Sequence, residues 1–191
     1  MSQNSGYFEL FELPRKLWIE MGSLEQKFLQ LSWKFHPDNF VNASEHERDL
    51  SLKRSSELND AYRVLRDPVA RVEYLLGLEG ERKEGEKKQQ APPELLEEVF
   101  ELNESLDELR EAKGSGGDLA ALKSRLESAE KSFQTKLSEV DVQLRDAGRE
   151  WDAALDGDDA TRKKIMVRLN ELLNRRSYIR NLVTNVQKEL V

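Results

Sequence analysis

Residues 31–40 read LSWKFHPDNF: a helical, aromatic-rich run that ends on His36-Pro37-Asp38. Upstream, Leu24, Phe28, Leu31 and Phe35 recur at i, i+4, i+7 and i+11, which is one apolar stripe at about 100° per residue. Ser23 is the candidate N-cap of that helix. Lys27 and Lys34, seven residues apart, share one of its flanks. Pro37 ends it, because proline disfavours αR at the preceding residue and has no N–H to continue the ladder. The tripeptide is then either a helix stop followed by a turn or the working part of the molecule. A histidine and a carboxylate two residues apart also invite an acid–base reading. A general base, however, needs a substrate pocket and an oriented partner. No nucleophile motif or phosphate-cradling loop accompanies this pair.

Downstream, a second helix is predicted from about Ser44 to Arg66, with Leu50, Leu58, Ala61 and Leu65 facing inward. Pro68 then opens another helix, PVARVEYLLGL. The two longer helices, joined through His36-Pro37-Asp38, should form an antiparallel hairpin. The chain divides near residue 80. GLEGERKEGEKKQQAPP (residues 77–93) has charge, Gly and paired Pro but no apolar periodicity, which is a linker signature. Three longer helical patterns follow, separated by KGSGGD (113–118) and DGDD (156–159). The expected organisation is all-α, with an N-terminal domain over 1–80, a linker over 81–91 and a three-helix bundle over 92–191.

Composition agrees. Among 191 residues, 35% are charged and only 7% aromatic, with ten Gly and five Pro, which disfavours a β-sandwich. With no cysteine, disulfides, thiolate-held zinc or iron–sulfur clusters and a cysteine nucleophile are all excluded. Only His36 and His46 are present, so a histidine-rich metal site is not expected. A formal charge of −7 argues against nucleic acid as the main partner. No stretch is long and apolar enough to cross a bilayer, and MSQNSGYFEL has neither the basic nor the hydrophobic region of a secretory signal. The expectation is a cytoplasmic chain.

In the first helix of the second domain, Leu95, Val99, Leu102, Leu106 and Leu109 form a core stripe. Glu97, Glu101, Glu104 and Glu108 form an acidic stripe on roughly the opposite face. Leu96 and Phe100 belong to neither and lie between them on one flank. In the last helix Ile165, Leu172, Ile179, Val183, Val186 and Leu190 form the core stripe, with Tyr178 well off it. Three bulky apolar residues beside an acidic stripe describe a binding patch. A three-helix bundle also buries a wide arc, so Phe100 and Tyr178 as core residues is the competing reading.

KFHPDNF followed by LNDAYRVLRDP resembles a J domain. The opening YFELFELP, the ending RVEYLLGLEG and the later ELLEEVFELNESLDEL (94–109) resemble one branch of J proteins, the HscB/Jac co-chaperones of iron–sulfur cluster assembly. The resemblance covers nearly the whole chain. It implies that His36, Pro37 and Asp38 contact a DnaK/HscA-type ATPase and stimulate it, with Lys27 and Lys34 steering the approach. It also implies that Leu96, Phe100, Glu101, Glu104, Glu108 and Tyr178 bind an IscU-like iron–sulfur scaffold, and that the chain itself holds no cofactor or metal and catalyses nothing. Three positions depart from the family pattern: Asn39 stands where lysine is usual, Trp33 where a basic residue is common, and Glu97 where an apolar one is frequent. Two rivals stay open. One is a general J protein whose bundle binds another client or dimerises, and the other is a small enzyme using His36 and Asp38.

Overall fold

The computed structural model describes residues 6–82, 92–115 and 119–191, and every regular element among them is helical. The helices are α1 (Tyr7–Leu10), α2 (Met21–Lys34), α3 (Glu45–Arg66), α4 (Pro68–Leu78), α5 (Leu96–Ser115), α6 (Leu119–Ala153) and α7 (Asp159–Leu190). A 3-10 turn, Pro37–Phe40, joins α2 to α3, and another, Pro93–Leu95, leads into α5. The chain forms two compact units: Met1–Lys83 with Gly148–Met166, and Glu84–Ala147 with Val167–Val191. The all-α class read from the sequence is the class observed. The expected linker lies almost entirely outside the described residues.

In the first unit Phe28 stacks on Tyr62 at 4.1 Å between ring centroids, and the Ser51 hydroxyl donates to the Phe35 carbonyl at 2.9 Å. Residue 28 thus pairs with 62 and 35 with 51, so α2 and α3 run antiparallel. Leu24, Leu58, Ala61 and Leu65 are buried between them and their neighbours. Two expectations need correction. Helix α2 starts at Met21, and its cap is Glu20, whose carboxylate accepts from the N–H groups of Gly22 and Ser23 at 2.9 and 2.5 Å. A carboxylate satisfies the same orphan donors as a serine would, and its charge suits the helix N-terminus. Hydrogen bonds from Ser23 and Gly22 in turn hold the Glu20 carboxyl below its usual range. The second correction is Leu50, which is exposed, while Ser51 beside it is buried. The hairpin register places 51 opposite the last residue of the α2 stripe, so α3 extends past the end of α2 before that point.

The connection between α1 and α2 has no helix of its own, and side chains satisfy its backbone. Asp152 accepts from the N–H groups of Leu17 and Trp18 at 2.6 and 2.8 Å, and the Trp151 indole N–H donates to the Arg15 carbonyl at 2.9 Å. Buried Arg71 donates to the Leu65 and Leu17 carbonyls at 2.6 and 2.5 Å. Burial pulls its guanidinium below the ordinary value, and the Asp152 and Asp67 carboxylates push it back up. A Cβ at Gly148 would stand 3.4 Å from Leu17 Cβ, so a small residue suits this approach.

In the second unit, polar pairs give the helix directions. Glu108 meets Arg125 at 2.9 Å and Glu98 meets Lys136 at 3.0 Å, so α5 and α6 are antiparallel. Asp141 meets Arg176 at 2.6 Å and Glu130 meets Gln187 at 2.7 Å, so α6 and α7 are antiparallel too. Glu94 meets Arg175 at 3.4 Å and Arg110 meets Glu189 at 2.7 Å, which makes α5 and α7 parallel. The exposed ones among these pairs, such as Glu108 with Arg125, contribute little stability. Burial of Leu102, Leu106, Leu109, Leu126, Phe133, Ile179 and Val186 holds the bundle together.

Candidate functional site

Helix α2 ends at Lys34, and His36 takes an extended conformation (φ −61°, ψ 130°), as a residue before proline prefers. Pro37 opens the 3-10 turn, where its missing N–H costs no hydrogen bond. The turn is tied down at several points. The Asp38 N–H donates to His36 Nδ1 at 3.3 Å, the Asn39 N–H to the His36 carbonyl at 3.0 Å, and the Asn39 side-chain amide to the Trp33 carbonyl at 2.6 Å. The Ser51 hydroxyl holds the preceding Phe35 carbonyl. His36 Nδ1 and Asp38 Oδ2 stand 3.5 Å apart, and both side chains are exposed. The pair is presented on a fixed turn and faces water. That geometry suits contact with a macromolecule and gives a small substrate no enclosing walls.

The two lysines of the α2 flank have different fates. Lys34 is exposed and lies over the Phe35 ring at 5.7 Å, beside the turn. Lys27 is half-buried and bonded to Glu12, whose backbone is left-handed (φ 51°) just past α1, and the lysine holds the Glu12 carboxyl below its usual range. Sequence reading missed Arg54. This residue of α3 brings its guanidinium to 5.6 Å from the same Phe35 ring and adds a cation near the turn. Its signal was its position three residues after Ser51, one helical turn along α3.

On α5, Leu96 is 55% and Phe100 70% exposed, so of the two readings that the stripes left open the core reading fails for Phe100, and Glu97, Glu101, Glu104 and Glu108 are exposed as well. Tyr178 is half-buried. The parallel α5–α7 register sets it near the level of Glu97 to Val99. At about 100° per residue it shares the flank of α7 that carries Arg175, paired with Glu94 in the turn before α5, and Glu189, paired with Arg110 of α5. Leu96, Phe100 and Tyr178 therefore gather on the α7 side of α5. The acidic residues divide. Glu108 is bound by Arg125, which also donates to buried Ser105 at 3.3 Å. Glu101 and Glu104 form no ion pair among the described residues. With Glu98 they form one wall of a groove of about 640 Å³ between α5 and α6. Ser124, Ser128 and Ser132 line its other wall, and Leu102 and Phe133 also line it.

Residues 91–181 match the family described as the HSCB C-terminal oligomerisation domain. The chain is 37% identical over 150 residues to a Co-chaperone protein HscB homolog of Vibrio vulnificus, covering 78% of this chain and 85% of the relative. It is 38% identical over 138 residues to the homolog of Aliivibrio salmonicida, covering 72% and 79%. Among solved structures it resembles chaperone HscB from Vibrio cholerae, with a TM-score of 0.58, 27% identity and 96% of both chains covered. Human co-chaperone HscB shares the fold, with a TM-score of 0.63 at 24% identity over 98% of this chain and 83% of the other. No helix among the described residues is long and apolar enough to cross a membrane.

Proposed function

The chain belongs to the HscB family of co-chaperones, and on that premise we propose that it stimulates the ATPase of a DnaK/HscA-type chaperone and delivers an IscU-like iron–sulfur scaffold to it. One observation carries the reading: His36 and Asp38 are exposed on a turn fixed by Asn39, Ser51 and Pro37. A preorganised turn loses little entropy when a partner closes on it. In this reading residues 1–80 act on the chaperone, through His36, Pro37, Asp38 and Lys34, with Lys27 a weaker contributor because Glu12 holds it. The bundle over 92–191 carries the scaffold on Leu96, Phe100 and Tyr178, with Glu101, Glu104 and Glu108 beside them. Holding both partners on one chain raises the effective concentration of cargo at the chaperone. Cluster transfer from scaffold to recipient proteins follows from that encounter. The cluster is cargo, and this chain supplies no ligand to it.

The test is reconstitution. The full chain should accelerate ATP hydrolysis by a purified HscA-type chaperone and form a complex with a purified IscU-type scaffold in sedimentation. A chain that does neither sinks the proposal. A second reading has specific support, because the matching family is described by oligomerisation. If the chain sediments as a dimer that Phe100→Ala dissociates, the outer face of α5 serves self-association instead.

A further inference from the structure

The core stripe of α2 leaves the opposite side of that helix in water. There Leu29 and Trp33, four residues apart, are 61% and 77% exposed. At about 100° per residue, Gly22 and Gln26 share this face, and the exposed Glu25 borders it one turn before Leu29. Two large neighbouring side chains in water mark an interaction surface more strongly than scattered ones do. The Trp33 backbone is joined to the His36–Asn39 turn, because its carbonyl accepts from the Asn39 side chain at 2.6 Å and from the His36 N–H at 3.4 Å. The surface that begins at Asp38 and His36 therefore continues along α2 through Trp33 to Leu29.

We propose that Leu29 and Trp33 are the affinity and selectivity contact for the chaperone ATPase, seated against an apolar patch on the same partner that His36 and Asp38 address. The inference rests on the function proposed above and deepens it. Continuity with the turn identifies the occupant: a partner that reaches His36 must also cover Trp33. Tryptophan is enriched at interface hot spots, and the backbone that carries Trp33 is already pinned by Asn39. A membrane surface would favour basic residues around the apolar pair, whereas Gln26 lies on this face and Glu25 beside it. A second copy seated here would cover the turn and block the chaperone. Contact through apolar groups also predicts an affinity that survives salt, unlike docking steered by lysines.

The experiment titrates the full chain against a purified HscA-type chaperone, reading ATP turnover at low and high salt. Leu29→Gln/Trp33→Gln should keep the helical circular dichroism and the maximal stimulation of the wild type. It should raise the half-maximal concentration by about tenfold or more, equally at both salts. His36→Gln should show the opposite split and lose maximal stimulation. Trp33→Arg should bind with an affinity that falls as salt rises. An unchanged half-maximal concentration in the double variant overturns the inference, as does a loss confined to low salt. Should the double variant instead abolish self-association in sedimentation, or pelleting with phosphatidylserine vesicles, while titrating like the wild type, the face belongs to a second copy or a membrane and the inference falls. A wild-type chain that gives no stimulation overturns the proposed function and this inference together. Wild-type stimulation with an indifferent double variant overturns the inference alone.

Discussion

Helices α2 and α5 each turn a pair of large apolar residues, four apart, away from their core: Leu29 with Trp33, and Leu96 with Phe100. The local device is the same, and the surroundings differ. The α2 pair adjoins the His36–Asp38 turn on a face bordered by a single carboxylate, Glu25. The α5 pair is bordered by Glu97, Glu101 and Glu104, with Tyr178 on the neighbouring helix at the same level. In the proposed roles apolar area would supply affinity in both cases, while the flanking charge would decide which partners are admitted and how salt acts on the complex. The α5 contact should therefore respond to ionic strength while the contribution of the α2 pair should not, and each should tolerate polar substitution without unfolding.

The largest expected effect is at the turn. His36→Gln should abolish chaperone stimulation with nearly unchanged circular dichroism, since an exposed side chain contributes little to folding. Full stimulation by that variant would remove His36 from the mechanism, and loss of fold would reduce the tripeptide to a helix stop. On the α5 side, Leu96→Ala/Phe100→Ala should lose the scaffold complex in a pull-down while the melting transition stays near that of the wild type. Leu102→Ala is the control on the inward side of the same helix. It is buried, and it should cost roughly 2–5 kcal/mol. If the outward pair destabilises as much as Leu102→Ala, the pair is core and the contrast between faces is lost. Tyr178 is half-buried, so Tyr178→Ala should fall between the two in thermal stability.

The helices were legible because apolar spacing reports burial. The angle of Leu96 and Phe100 to Leu95, Leu102, Leu106 and Leu109 placed them off the core stripe but left open whether the bundle buried that flank. Leu29 carries no signal of its own in the sequence, because a single leucine off the inward stripe of α2 is ordinary surface composition. The errors have a common origin. Ser23 seemed the cap and Leu50 seemed inward because residue type was read without tertiary register. Helix α2 starts two residues before Ser23, which lies inside the first turn and donates its own N–H to Glu20, and pairing 35 with 51 set the depth of the α3 face. No pattern along the chain could show that Trp151 and Asp152 satisfy the backbone near residues 15–18, more than 130 positions away. Charge roles were the least legible. Glu101, Glu104 and Glu108 look alike in sequence, yet Arg125 binds only the last of them.

Salt sharpens the comparison at smaller amplitude. Lys34→Ala should weaken chaperone stimulation modestly, and the deficit should shrink as salt rises. Glu101→Gln/Glu104→Gln should weaken scaffold binding in the same salt-dependent way. Glu108→Gln should change scaffold binding least, because its carboxylate is already held by Arg125, and this exposed pair adds little to bundle stability. Binding of scaffold measured by isothermal titration at two ionic strengths separates these cases. A salt-independent loss in the Glu101/Glu104 variant would assign those residues to packing.

The smallest effect concerns how the two helices begin. At the start of α2, the Glu20 carboxylate caps the N–H groups of Gly22 and Ser23. The turn Pro93–Leu95 that leads into α5 has Pro92 at its N-cap and no side-chain cap. Hydrogen bonding from Ser23 and Gly22 lowers the Glu20 pKa in the folded state. A depressed carboxylate contributes stability that is present above its unfolded pKa and is lost as pH falls through the lower folded value. Acidification should therefore loosen the first turn of α2, where protonated Glu20 is a weaker acceptor, with no counterpart from a capping carboxylate at α5. Amide exchange at Gly22 and Ser23 should accelerate on lowering the pH relative to the intrinsic rate, more than at Glu97 and Glu98. Glu20→Ala should accelerate it at neutral pH and remove most of the pH dependence. Equal acceleration at both helix starts would mean that acid acts on the fold as a whole and not through this cap.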